Sequence, residues 1–126
     1  MKTIQPLKAR ALSARAGTVC SAIAEMISLG QFPLSDEDLA VLADRENEFI
    51  SGWVFTYRVN LATPADKVQM LCAGLQDPHP RIREHSCDII GDHGILELRE
   101  KMESLFNDPN PDVAESATYN HGMLGA

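Results

Sequence analysis

The sequence predicts an all-α protein, a short α-solenoid in which about seven helices form stacked hairpins. Two observations carry this prediction. The motif Asp-Pro-x-Pro occurs twice, at Asp77 and Asp108, and the residues around the two copies match at an offset of 31. Apolar residues elsewhere recur at the i, i+3, i+4, i+7 spacing of a helix, and no segment shows a convincing strand pattern. A period near 30 residues indicates helix pairs, because neither helix of a pair can bury its apolar stripe alone.

The first segment, residues 1–34, is predicted to hold one long helix that ends near Gly30. Its apolar stripe consists of Val19, Ile23, Met26 and Ile27.

Residues 35–62 are interpreted as a degenerate helix pair. Ser35 and Asp38 form a capping signal, Leu39 and Leu42 belong to a short helix, and Asp44 opens the turn. A second helix is lined by Phe49, Trp53, Val54 and Tyr57.

Residues 63–94 form the best-defined pair. Its first helix begins with Thr63 as N-cap, Pro64 at the first helical position and Asp66 at the third. The apolar stripe of that helix is Val68, Leu71, Cys72 and Leu75. Prolines then end it, and Pro80 suits the first turn of the next helix.

The second helix of this pair carries Ile82, Ser86, Ile89 and Ile90 on one face, and Gly91 or Gly94 serves its C-terminal turn. Residues 95–126 repeat the pattern. The matches to the earlier copy are Met102 for Leu71, Phe106 for Leu75, Pro109 and Pro111 for the two prolines, Val113 for Ile82, Ala117 for Ser86, and Gly122 and Gly125 for the two glycines. Asn120 and His121 replace Ile89 and Ile90, which predicts an uncovered, polar C-terminal cap.

The segments "LQDPHPRIREHSCDIIGDHG" and "FNDPNPDVAESATYNHGML" resemble the HEAT repeat, in the short form of the phycobilin-lyase-like HEAT proteins. The resemblance covers residues 64–125, and it departs from the family where Ala114 follows Val113 in place of the Arg that follows Ile82. It implies a single HEAT-like domain over the 126 residues. It also implies that Arg83 bridges to the Asp of the neighbouring repeat. Asp77 and Asp108 each precede a helix, where a carboxylate accepts backbone N–H groups, so a structural role is expected for both.

Composition limits the function. The net charge is −7, from 18 acidic and 11 basic residues, which argues against nucleic-acid binding because phosphate neutralisation needs a basic face. Three cysteines cannot pair evenly, which favours reduced thiols in the cytoplasm. We see neither a secretory signal nor an apolar run long enough for a membrane span.

The second helices of a HEAT-like stack line its concave surface, which is where such solenoids bind partners. Residues on the arc opposite the apolar stripe are therefore the candidate partner-binding site. They are Glu84, His85, Asp88, Asp92, Asp112, Glu115 and Tyr119. Carboxylates around a tyrosine suit a cationic protein partner, and Tyr57 and Trp53 are further candidates, with core packing favoured for Trp53.

Catalysis finds little support. A HEAT-like family, deoxyhypusine hydroxylase, holds two irons through His-Glu pairs, but the order here is Glu84-His85 and the next repeat has Glu115-Ser116. The cysteines lack C-x-x-C spacing, Cys87 is interpreted as a packed thiol, and no nucleophile or dinucleotide motif occurs. We expect no catalytic residue, metal or cofactor. A di-iron hydroxylase or chromophore-lyase relative stays open as an alternative.

Size, acidity and architecture resemble the HEAT-like immunity proteins encoded beside bacterial toxin systems, including those of contact-dependent growth inhibition. The resemblance implies a protein that binds and neutralises a cognate toxin domain, expected to be a basic nuclease, through its acidic surface. An adaptor within a larger complex is the other non-catalytic alternative.

Overall fold

The structure is a computed structural model that describes the backbone of residues 4–125 and the side chains of residues 6–125. Within this range it is all-α, without a β-strand, as the sequence predicts. Residues 4–125 contain seven α-helices: α1 (Ile4–Ala11), α2 (Ala16–Leu29), α3 (Asp36–Ala43), α4 (Glu48–Leu61), α5 (Pro64–Gly74), α6 (Pro80–His93) and α7 (Pro111–Gly125). Two 3₁₀ segments, Leu96–Leu98 and Glu100–Leu105, lie between α6 and α7. None of the helices in this part of the chain has the length and hydropathy needed to cross a membrane.

The chain divides into two compact units, one on each side of the Leu61–Ala62 bond. The first unit holds α1 to α4, and the second holds α5 to α7 with the two 3₁₀ segments. This division lies next to the boundary that the sequence predicts between residues 35–62 and 63–94.

The first unit consists of two helix pairs, α1 with α2 and α3 with α4, and its second helices α2 and α4 pack on each other. Twelve buried residues form its core: Leu7, Ala11, Val19, Ala22, Ile23, Met26, Leu34, Leu39, Leu42, Ile50, Val54 and Tyr57. The Tyr57 hydroxyl accepts a hydrogen bond from the Leu34 N–H at 2.8 Å, so this tyrosine belongs to the core and not to a binding surface. Trp53 is half-buried and packs against the same core.

The prediction of one long N-terminal helix is wrong. Residues 12–15 interrupt it and turn α1 onto α2, although they include neither Gly nor Pro. The Arg45 guanidinium donates to the Ser13 carbonyl at 2.5 Å, and the Ser13 hydroxyl accepts the Arg15 N–H at 3.1 Å. These bonds satisfy backbone groups that the broken helix leaves open. The predicted end of α2 is confirmed, since Gly30 takes the left-handed conformation with φ of 67°.

The capping box that opens α3 is confirmed. The Ser35 hydroxyl accepts the Asp38 N–H at 3.1 Å, and the Asp38 carboxylate accepts the Ser35 N–H at 3.0 Å. α4 begins after Asn47, whose side-chain oxygen accepts N–H groups of Phe49 and Ile50 at 3.0 and 3.1 Å. Phe49 itself is exposed, in contrast to the predicted lining of this helix.

In the second unit α6 packs on both α5 and α7, and α7 also packs on the segment Glu100–Leu105. The first element of the last pair is thus a 3₁₀ helix. Ten buried apolar residues fill this unit: Leu71, Leu75, Cys87, Ile89, Ile90, Leu98, Met102, Leu105, Val113 and Ala117.

The repeat holds at the level of single hydrogen bonds. Pro80 and Pro111 are the first residues of α6 and α7. The Asp77 carboxylate accepts the His79 N–H, and the Asp108 carboxylate accepts the Asn110 N–H, both at 2.9 Å. The two Asp-Pro-x-Pro motifs therefore form the same turn.

Arg83 joins the two repeats, as the resemblance implies. Its Nε and Nη2 donate to the two carboxylate oxygens of Asp108 at 2.8 and 3.0 Å. Its Nη1 donates to the carbonyls of Asp77 and Pro78 at 2.8 and 3.1 Å. One guanidinium therefore holds the first turn and binds the carboxylate of the second, which fixes the spacing of the two pairs.

Candidate functional site

A cleft of about 240 Å³ lies between α6 and α7. Its lining consists of Glu84, Asp88, Asp112, Glu115, Ser116 and Tyr119. The structure thus brings together five of the seven predicted partner-binding residues. The lining comes from two consecutive second helices, because α6 and α7 present equivalent faces one repeat apart.

Arg81 pairs with a carboxylate of the cleft lining from each helix. Its Nη1 lies 3.0 Å from Glu84 Oε1 and 2.9 Å from Asp112 Oδ2. Four carboxylates and this one guanidinium leave a formal charge of −3 around the cleft at neutral pH. The arrangement suits a cationic group of a partner.

Asp88 has a second role that the sequence does not reveal. One of its carboxylate oxygens accepts the Ser116 hydroxyl at 2.6 Å and the Asn120 amide at 3.0 Å. The same amide also donates to the Ser116 carbonyl at 2.9 Å. This carboxylate therefore ties α6 to α7 as well as lining the cleft.

The expectation of an uncovered polar cap fails at Asn120, which is only 3% exposed. The buried amide is tolerated because Asp88 and Ser116 satisfy it. It also needs the absence of a side chain at Gly91, where an added Cβ would overlap the Asn120 carboxamide. His121 is half-buried and its ring lies 3.0 Å from a Glu103 oxygen.

Tyr119 contributes an aromatic ring to the cleft and is 66% exposed. Glu115 lies one turn earlier on α7 and is exposed too. A partner side chain that enters the cleft meets this ring beside the carboxylates, an arrangement that favours a guanidinium or ammonium group.

His85 and Asp92 do not line the cleft. His85 is half-buried, and burial lowers its pKa, helped by the Arg81 charge and opposed by the Asp88 charge. Asp92 is exposed near the C-terminal end of α6. Both were predicted from the helical arc alone, which does not specify where the neighbouring helix crosses.

Cys87 is buried, whereas Cys20 and Cys72 are half-buried. Burial, together with the charges of Asp88, Asp108 and Glu84, raises the pKa of Cys87 to about 12, so this thiol stays protonated at neutral pH. Burial also raises the pKa of Cys20. Among the residues that the structure describes, no group of three or more His, Cys, Asp or Glu side chains is arranged to hold a metal ion.

Sequence reasoning missed Arg81 and Asn120, and it missed the hydrogen bond from Ser116 to Asp88. Ser116 and Asn120 stand four residues apart, so they share a face of α7. That polar pair beside Ala117 was the available signal. Its partner, Asp88, lies 28 and 32 positions earlier, which no local pattern indicates.

Charge is concentrated in the second unit. Residues 62–126 hold eleven acidic and five basic side chains and therefore carry six of the seven net negative charges.

Comparison with protein-family models, with curated proteins and with solved structures finds no match to this chain.

Proposed function

We propose that this protein is a non-catalytic binding module whose acidic cleft between α6 and α7 receives a cationic side chain of a protein partner. The observation that carries the proposal is the convergence of Glu84, Asp88, Glu115 and Tyr119 on one cleft. Excess negative charge attracts a basic partner and speeds association, and the exposed ring adds contact area at low entropic cost.

Within this proposal, the chain is a HEAT-like immunity protein of the cytoplasm that neutralises a basic bacterial toxin domain, such as a nuclease. Two properties support it: the helix pairs repeated at 31 residues and the acidic second unit. A basic active-site cleft of a nuclease is blocked when an acidic surface occupies it. The support is one of architecture and charge.

The test starts with capture of the partner from the native host and its identification by mass spectrometry. Binding of that partner is then measured for Glu115→Lys and Tyr119→Ala. Both side chains are exposed, so both variants should keep the wild-type melting temperature. We expect Glu115→Lys to weaken binding by about tenfold or more, because it places a like charge opposite a cationic partner.

The matched control is Asp92→Lys, the same kind of charge reversal on α6 but outside the cleft. It should change affinity by less than about threefold. Equal losses for Glu115→Lys and Asp92→Lys would show that overall charge and not the cleft governs binding. An acidic captured partner, or unchanged affinity in both cleft variants, would refute the proposal.

A further inference from the structure

The outer face of α7 is the repeat equivalent of the face on which α6 receives α7. Four of the α6 residues that meet α7 define this face. Arg81 pairs with Asp112, the Glu84 carbonyl accepts the Ser116 hydroxyl, Asp88 binds Ser116 and Asn120, and Gly91 leaves room for Asn120. These residues are spaced at three or four positions, so they form one stripe of the helix.

The same stripe on α7, at the offset of 31, consists of Asp112, Glu115, Tyr119 and Gly122. All four are exposed. The two glycines differ most clearly. An added Cβ at Gly91 would overlap Asn120, whereas one at Gly122 would meet nothing within 4 Å. Gly122 on α7 therefore leaves room for the close approach of a second helix, but no helix of the described part of the chain lies there.

We propose that this stripe docks a helix of the cationic partner, which packs on α7 as α7 packs on α6. The inference rests on the proposed function and specifies the form of the partner: a basic helix that lies close to Gly122 and directs Arg or Lys towards Asp112 and Glu115. Met123, also exposed, extends the apolar part of the contact beyond Tyr119.

The charge of the α7 stripe distinguishes between two possible occupants, a second copy of this chain and a basic helix of a partner. A second copy of this chain would bring the same carboxylates, Asp112 and Glu115, against each other across a two-fold contact. A basic helix instead meets them with opposite charge. The cationic partner is therefore the occupant that fits this face.

The experiment uses two probe peptides of identical composition, about 20 residues long so that the helix is populated in water. The first is an alanine-based helix with Arg at every fourth position and one proline at each end. The second contains the same residues, but its two prolines stand in the interior, where they break the helix. Each is titrated into the ¹⁵N-labelled full chain at low salt. We expect the helical peptide to bind about tenfold more tightly, with shift changes centred on Glu115, Tyr119 and Gly122.

The decisive variant is Gly122→Ala. Because the site is open, alanine fits and favours the helix, so the melting temperature should stay equal or rise. The methyl group nevertheless obstructs the close approach of a second helix and should weaken binding of the helical peptide about tenfold. Gly17→Ala is the matched control, since Gly17 is also an exposed helical glycine with open space, on α2. It should leave binding unchanged.

Four results would overturn the inference. If both peptides bind equally, or if Gly122→Ala binds as the wild type does, charge alone recruits the partner; the proposed function then stands without a docked helix. If the chain self-associates in sedimentation and Gly122→Ala abolishes this, the occupant is a second copy. If neither peptide shifts any α7 resonance at millimolar concentration, the face is no docking site. In that case, Glu115→Lys against the captured host partner still decides the proposed function separately.

Discussion

At the scale of single residues, two aspartates in the same repeat position do different work. Both carboxylates cap the turn before a helix, but only that of Asp108 binds the Arg83 guanidinium, whereas Asp77 binds it through the backbone carbonyl. The Asp108 side chain is 4% exposed against 31% for Asp77. Burial alone would raise the pKa of Asp108. The Arg83 hydrogen bonds, the Asn110 N–H and the Arg83 charge outweigh it and hold this pKa below its usual value of 3.8.

This shift predicts an acid-dependent loss of stability. A carboxyl whose pKa is lower in the folded than in the unfolded state stabilises the protein at pH values above the unfolded-state pKa. That contribution disappears as the pH falls through the folded-state pKa. Asp108→Asn should therefore lower the free energy of unfolding by about 3 kcal/mol at pH 7, because it leaves the Arg83 charge largely buried and unpaired. The difference from wild type should shrink as the pH falls below about 4.

Urea unfolding at pH 7 and pH 3 measures both quantities. Asp77→Asn is the control, since it changes the same motif position without breaking the bidentate pair, and it should cost less than about 1 kcal/mol. A difference between Asp108→Asn and wild type that is the same at both pH values would contradict the assignment.

Residue roles were predictable where a local rule specifies them. The caps at Ser35 and Thr63 follow from the residue type and the position before a helix, and both hydroxyls accept the expected N–H. The role of Asn120 was not predictable. An exposed and a buried asparagine look alike in sequence, and here burial depends on Asp88 and Gly91 in the preceding repeat.

At the scale of secondary structure, the helices were predictable where apolar period and breakers agree, as in α5 and α6. The turn between α1 and α2 was missed because it carries no Gly or Pro. What holds it is Arg45, which lies 32 positions along the chain from Ser13. Tertiary contacts of this kind override a helical pattern that looks continuous.

The contact between α6 and α7 supports a prediction about Gly91. Alanine is favoured over glycine inside a helix by up to about 1 kcal/mol, but at Gly91 its methyl group would overlap the Asn120 carboxamide. That amide is held by Asp88 and Ser116 and moves only at a cost. We expect Gly91→Ala to destabilise the protein by about 1–3 kcal/mol.

A double-mutant cycle with Asn120→Ala isolates this clash. Once the carboxamide is removed, Gly91→Ala should become neutral or stabilising, which gives a coupling of at least about 1 kcal/mol in chemical denaturation. Gly122→Ala, at the equivalent position of the next repeat, is the control without a clash. Additive effects of Gly91→Ala and Asn120→Ala would mean that the two helices do not approach at Gly91.

At the scale of the whole molecule, the all-α class followed from periodicity, whereas the number of helix pairs did not. The sequence indicated three pairs and a leading helix. In the structure that leading segment is itself a pair, so each unit holds two pairs whose second helices are in contact. The 31-residue repeat is visible only in the second unit because there the turns use Asp-Pro-x-Pro, while the turns of the first unit use other chemistry.

The distribution of charge leads to a prediction for association with the proposed cationic partner. Since residues 62–126 carry six of the seven net negative charges, the negative electrostatic field is strongest around the second unit, which holds the cleft. Screening shortens its range from about 14 Å at 0.05 M salt to about 4 Å at 0.5 M. The association rate should fall about tenfold or more over this range, and the dissociation rate should change far less.

Stopped-flow measurements on Glu97→Gln and Glu100→Gln separate the field from the cleft. Both glutamates are exposed in the same unit and neither lines the cleft. Removing them should reduce the association rate modestly and leave dissociation unchanged. Glu115→Gln should also speed dissociation, because the proposed complex places its carboxylate against the partner. A salt effect confined to dissociation would show that contact charges, and not long-range attraction from the second unit, dominate recognition.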